Sequence, residues 1–239
     1  LLNTNGILAF VLPKSFTNCH YYDKTRRYIN ENFKIIDIID CDDKYIETQQ
    51  STIIFIIQKQ LHNNNSFIMK LNNYTIFGTK ENITKLNLLT KSSTTLNQLG
   101  FTANIGTITW NQYKDLLTDD DKFTRLIYSS DISGNQIIKT TYKNKEKKNF
   151  IKKPGTNEMM LIINRGYGKG AYKFNYCLIE NQSKYLIENH LICIKSQQST
   201  SKKELKALYE KIITSFENSK TQDFIKLFCG NDALNSTEL

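Results

Sequence analysis

The sequence predicts an α/β unit followed by a mixed α+β domain. Three observations carry this reading. Between Gly6 and Lys59, three near-continuous aliphatic runs enclose one amphipathic stretch. Beyond Ser66 the strand-like pieces shorten and are separated by polar loops containing Gly or Asn. Near the C-terminus a long apolar stripe recurs at helical spacing. The expected domain limits are 1–66 and 67–239.

GILAFVLP opens the first unit as a short apolar run stopped by Pro13, the pattern of a strand buried on both faces. YYDKTRRYINENF (Tyr21–Phe33) predicts a helix, with Tyr22, Arg26 and Ile29 on one face and Asp23 in its first turn. Strands follow at KIIDIIDC (Lys34–Cys41) and STIIFIIQK (Ser51–Lys59), suggesting part of a parallel or mixed sheet. LHNNNS (Leu61–Ser66) reads as a surface connection. In the second domain FIMKL, YTIFG, RLIYS, MMLIINR, YKFNYCLI and YLIENHLICI read as strands, and WNQYKDLLT (Trp110–Thr118) as a short helix. Leu205, Leu208, Tyr209, Ile212, Ile213 and Phe216 then form the helical stripe. Ser201 and Glu204 are placed to make a capping box. A last helix is expected over Thr221–Phe228.

Composition narrows the function classes. No apolar run approaches the length of a membrane span, and no signal-peptide pattern is present. The five cysteines form no CxxC pair and the three histidines lack ligand spacing, so neither a zinc site nor a disulfide framework is expected. Reduced thiols fit an intracellular compartment. The formal charge of +9 favours a polyanionic partner. Ser/His/Asp triad motifs, HExxH and a P-loop are all missing from the sequence. Asp37, Asp40, Asp42 and Asp43 cluster at a strand end, where solvated loop acids are the simpler account.

The basic residues are better localised. KTTYKNKEKKNFIKK (Lys139–Lys153) holds seven lysines against one glutamate, with Tyr142 and Phe150 interleaved. NRGYGKGAYKF (Asn164–Phe174) adds Arg165, Lys169 and Tyr167 around Gly166, Gly168 and Gly170. Lysines meet phosphates at many geometries, and an arginine can read guanine with two hydrogen bonds. Lys147, Lys148, Lys152, Lys153, Arg165, Tyr167 and Lys169 are therefore the candidate contacts to double-stranded DNA.

The sequence also resembles the later part of DNA adenine-N6 methyltransferases of the Taq-like type, including the methylase–specificity halves of combined restriction-modification enzymes. GILAFVLPKSF looks like the strand after that family's catalytic motif, YYDKTRRYINENFKIIDIID like the following helix and strand, and IETQQSTIIFIIQK like a later strand. LGFTANIGTITWNQYKDLLT (residues 99–118) resembles the opening of the target-recognition region. LIYSSDIS, MMLIINRGYGKG and YLIENHLICI resemble its later segments, and FCGNDALNSTEL resembles a piece near the family's C-terminal end. The resemblance implies the C-terminal part of a Rossmann-like methyltransferase sheet in 1–66 and a target-recognition domain with C-terminal helices in 67–239.

The resemblance further implies methyl transfer from S-adenosylmethionine to N6 of an adenine flipped out of the duplex. It makes Trp110 and Phe101 candidates to stack on that base, and Lys14, Ser15 and Asn18 candidates for the pocket side. The family's glycine-containing cofactor loop and its (N/D/S)PP(Y/F) tetrapeptide do not occur here; Pro13 and Pro154 are the only prolines. No catalytic or cofactor-binding residue is therefore assigned, and the chain alone is expected to be inactive. The missing elements are expected upstream, as the non-Met start and mid-sheet opening suggest, or on a separate catalytic chain. The alternative readings are a non-catalytic DNA-binding specificity module and a degenerate structural relative.

Overall fold

The computed structural model describes residues 2–41, 51–60, 65–71, 74–91, 93–166, 173–180, 183–229 and 234. They fall into two compact units, Leu1–Ser93 with Asp223–Asp232, and Thr94–Gln222 with Ala233–Leu239. The architecture is mixed α/β with several sheets.

The first unit runs β1 (Ile7–Pro13), α1 (Asp23–Asn32), β2 (Lys34–Cys41), β3 (Thr52–Gln58), β4 (Ile68–Leu71), β5 (Tyr74–Phe77) and α2 (Lys80–Thr90). The expected parallel pairing between described strands does not occur. β3 lies between β1 and β2 and pairs antiparallel with both. β1 and β2 thus run the same way, joined through α1, but β3 separates them. A bulge at Ile36 in β2 lets Ile35 and Ile38 face the core together despite their odd spacing.

β1 departs from the expectation of a strand buried on both faces. Its outer edge is unpaired among the described residues, and Ile7, Phe10 and Val11 are 62%, 38% and 59% exposed. Phe55 in β3, by contrast, is fully buried, with the Phe16 and Phe77 ring centroids 5.6 and 5.7 Å away.

Helix α1 is tied down by charge as well as by apolar contact. Arg26 is fully buried and donates from Nε to the Thr75 carbonyl at 2.5 Å, and from Nη1 to the Phe16 and Cys19 carbonyls at 2.9 and 2.8 Å. Burial pushes its pKa down, opposed by the neighbouring Tyr74 and Asp23. Asp23 accepts from the Thr75 amide at 2.9 Å. One turn of α1 therefore fixes both the segment after β1 and strand β5. Phe67, Ile68 and Phe77 share the core of β2 and β3. This is why the first unit extends to residue 93, past the expected limit at 66.

The second unit contains β6 (Phe101–Ile105), β7 (Leu117–Thr118), β8 (Thr124–Ile127), β9 (Ile132–Ser133), β10 (Gln136–Ile137), β11 (Phe150–Ile151), β12 (Met160–Asn164), β13 (Tyr176–Ile179), β14 (Tyr185–Ile187), β15 (Leu191–Ser196) and α3 (Lys202–Phe216). One sheet has the order β13-β12-β15-β6 and is antiparallel throughout. A second, β14-β8-β11-β7, contains one parallel pair, β14 with β8, and β9 pairs with β10 in a two-stranded ribbon.

Ser201 and Glu204 cap α3 reciprocally, as the sequence indicates. Tyr209, Ile212 and Phe216 are the buried part of its stripe, and the Tyr209 hydroxyl donates to the Ile194 carbonyl at 3.1 Å. Helix α4 (Ser219–Phe228) begins in the second unit and continues with residues of the first. Gly106 lets β6 run close to the end of β14, because a Cβ there would sit 2.2 Å from the Glu188 carbonyl oxygen.

Candidate nucleic-acid interface

The lysine-rich segment is anchored by a buried polar network. Asp131, fully buried, accepts from the Tyr142 hydroxyl at 2.7 Å, from Arg125 Nη2 at 2.9 Å and from the Tyr128 amide at 3.1 Å. Arg125 Nη1 also donates to Asn149 Oδ1 at 2.6 Å, and Asn149 Nδ2 donates to the Thr140 carbonyl at 3.1 Å. Both ends of residues 140–149 are thereby tied to β8 and the turn that follows it. Burial, followed by contact with Asp131, pushes the Tyr142 phenol up; burial and the charge of Glu188 do the same to Tyr128. Both phenols are neutral donors at physiological pH.

Over this anchor stands an aromatic cage. Lys147 Nζ lies 4.8 Å from the Tyr128 ring centroid, 5.3 Å from that of Trp110 and 5.9 Å from that of Tyr142. The two tyrosine rings meet edge to face, 4.9 Å apart. Lys114 stands 5.8 Å from the Trp110 ring and pairs with Glu146 at 2.8 Å. The other candidate lysines are also engaged. Lys148 pairs with Asp119 at 2.7 Å, Lys152 lies 5.6 Å from the Phe123 ring, and Lys153 lies 3.8 Å from that of Tyr113. Beside this surface runs an open groove of about 680 Å³, lined in part by Arg125, Gln136, Lys139, Phe150 and Glu180. The surface presents ammonium groups and flat rings in alternation, a combination that suits phosphates and bases together.

The two stacking candidates separate. Trp110 is half-buried in a single 3-10 turn, and together with Tyr113 and Leu116 it packs on the cluster around Tyr128. Phe101 is 1% exposed in β6, where its ring meets that of Tyr209 at 5.1 Å. It has no accessible face for a base. Arg165 follows β12, and its Nη1 donates to the Asn189 carbonyl at 3.3 Å. Tyr167 and Lys169 lie outside the described residues, as do Asp42 and Asp43.

In the first unit, Lys14 and Ser15 stand in the 3-10 turn that follows β1. Lys14 pairs with Asp40, at the end of β2, at 3.0 Å. Asn18 is buried and donates to the Leu227 carbonyl at 3.2 Å. Lys14 and Asn18 line a cavity of about 310 Å³ shared with Thr79, Lys85 and Asp223. Four of its charged groups are already paired, Lys14 with Asp40 and Lys85 with Asp223 at 2.9 Å; Glu81 and Lys226 also line it.

The sequence did not single out Arg125, Tyr128, Asp131 or Asn149, which hold the cage in shape. Burial pushes the Cys177 thiol up, and that of Cys193 up to about 12, so neither is a ready nucleophile. No group of three or more metal-ligating side chains occurs among the described residues. Nor is any helix there long and apolar enough to cross a membrane.

Comparison with known proteins finds a relative that matches along nearly the whole chain. Over 237 residues, 96% of this chain, the sequence is 24% identical to the Type II methyltransferase M.CvrRI of Paramecium bursaria Chlorella virus XZ-6E. This chain is similar to a methyltransferase. It spans 57% of that relative's length. No protein-family model matches.

Proposed function

We propose that this chain is the DNA-recognition part, with an adjoining piece of the catalytic sheet, of a site-specific DNA adenine-N6 methyltransferase. The similarity to a Type II methyltransferase along nearly the whole chain carries this reading. The lysine-and-aromatic surface of the second unit supports double-stranded DNA as the partner. Trp110 is the residue of this chain offered to the extruded adenine, and Arg165 the one offered to a base edge.

S-adenosylmethionine would supply the methyl group. The described residues do not fit a site for it. In the cavity at the strand ends of the first unit Lys14 and Lys85 are already held by Asp40 and Asp223, and the sequence carries neither the glycine-containing loop nor the PP tetrapeptide. The work assigned to this chain is therefore binding and orienting the duplex. The open edge of β1, with Ile7 and Val11 exposed, supports a further strand beside it, supplied by a catalytic region of the same polypeptide or of a separate chain.

The test has two arms. Fluorescence anisotropy should show the chain binding duplex DNA with a strong salt dependence. Mass spectrometry of nucleosides from DNA treated with the complete enzyme should show N6-methyladenine. Methylated cytosine would overturn the adenine assignment. DNA binding with no methylation by any longer or co-expressed form would favour a non-catalytic specificity module.

A further inference from the structure

The lysines around Trp110 are not equivalent. Lys114 has Glu146 at 2.8 Å and Lys148 has Asp119 at 2.7 Å. Lys147 has no acid within ion-pair distance among the described residues; its ammonium faces three rings instead. The charge is thus held by ring quadrupoles alone, which attract a cation more weakly than a full negative charge does. The same ammonium covers the rings it rests on. Trp110 and Tyr142 are half-buried, Tyr128 forms the floor, and the Asp131 network fixes Tyr142 at the wall.

From this we propose that Trp110 and Tyr142, standing over the buried Tyr128 ring, form a nucleobase-stacking site that Lys147 keeps covered, and that a DNA phosphate uncovers it by drawing the Lys147 ammonium away. The inference rests on the DNA-binding reading above and adds an exchange to it. One charge leaves the rings for the backbone, and one base takes its place. Without a phosphate nearby the lysine returns, so the rings are not offered to free apolar molecules. Coupling the two events makes stacking conditional on a seated duplex.

Trp110 is the only tryptophan in the chain, so its emission reports the cage directly. Inorganic tripolyphosphate, which has phosphates and no bases, should alter Trp110 emission in the unmodified chain and leave it unaltered in Lys147→Met. A short labelled duplex carrying an extrahelical adenine should quench Trp110 beyond the effect of the fully paired duplex. Lys147→Gln, with circular dichroism as a check on folding, guards against a packing artefact of the methionine. Both variants should bind duplex with a salt slope lower by about 0.9. Equal responses to tripolyphosphate with and without Lys147 overturn the exchange. So does DNA binding, seen by anisotropy, that leaves Trp110 emission unchanged. No anisotropy change with any duplex overturns the DNA-binding reading itself, and the exchange with it.

Discussion

Replacing Asp131 with Asn tests the anchor of the lysine-rich segment. Asn keeps the shape and one acceptor oxygen, which in the Oδ2 position serves the Tyr128 amide, the Tyr142 hydroxyl and Arg125 Nη2 alike. The Arg125 guanidinium keeps a hydrogen bond but no longer faces a carboxylate. It loses a charged acceptor at 2.9 Å, in a site where Asp131 is wholly buried and Arg125 is 13% exposed. Removing one partner of a buried ion pair costs about 3–5 kcal/mol, and the residual exposure of Arg125 argues for the lower end, about 3. That is roughly a hundredfold in the folding equilibrium. Urea titration followed by Trp110 emission measures it, since Trp110 stands in the same unit. Asp119→Asn is the internal control. Its pair with Lys148 is exposed, 67% and 35% on the two side chains, and its loss should cost under about 1 kcal/mol. If Asp131→Asn costs no more than Asp119→Asn, the network is not desolvated and does not fix the cage.

Arg26→Met should cost about 4 kcal/mol, because three buried carbonyls lose their donor; a loss under about 1 kcal/mol, by urea titration with circular dichroism, would refute the clamp. Gly106→Ala should also lower the melting temperature, since a Cβ there meets backbone rather than a movable side chain. Alkali should weaken the second unit. Burial holds the Tyr209 phenol up at about 12 against an ordinary value near 10, so the unfolded chain loses that proton first. The contribution is whole below pH 10 and falls by about 3 kcal/mol as pH rises to 12, measurable by urea titration across that range. On the interface, Lys152→Gln together with Lys153→Gln should flatten the salt dependence of duplex binding by up to about 1.8, and an unchanged slope would place both away from phosphate.

Local signals in the sequence located several elements closely. KIIDIIDC is β2 at its expected limits, and the Ser201–Glu204 box opens α3. Both depend on neighbours a few residues apart. Pairing was not legible in the same way. Nothing within STIIFIIQK says that it lies between β1 and β2, because that order depends on partners from two distant segments. WNQYKDLLT forms 3-10 turns rather than the expected helix. Its apolar residues Trp110, Tyr113 and Leu116 recur every third residue, the period of the tighter turn. The cage is a long-range object. Trp110, Tyr128 and the pair Tyr142 and Lys147 belong to three separate stretches, and of these only the lysine run with Tyr142 stands out by composition. Phe101 shows the reverse error, an aromatic offered to a ligand that the fold spends on its core.

The uncovered edge of β1 bears on how this chain behaves in the test tube. Its backbone can pair with any extended segment that meets it, and Ile7, Phe10 and Val11 reward the contact with apolar area. Two copies meeting edge to edge would satisfy both. Self-association should therefore rise with protein concentration and bring the apparent stability of the first unit up with it. A charged residue in place of Val11 is the simplest way to keep the chain monomeric during the DNA titrations. It lies in the first unit, whereas the aromatic cage is built from residues of the second.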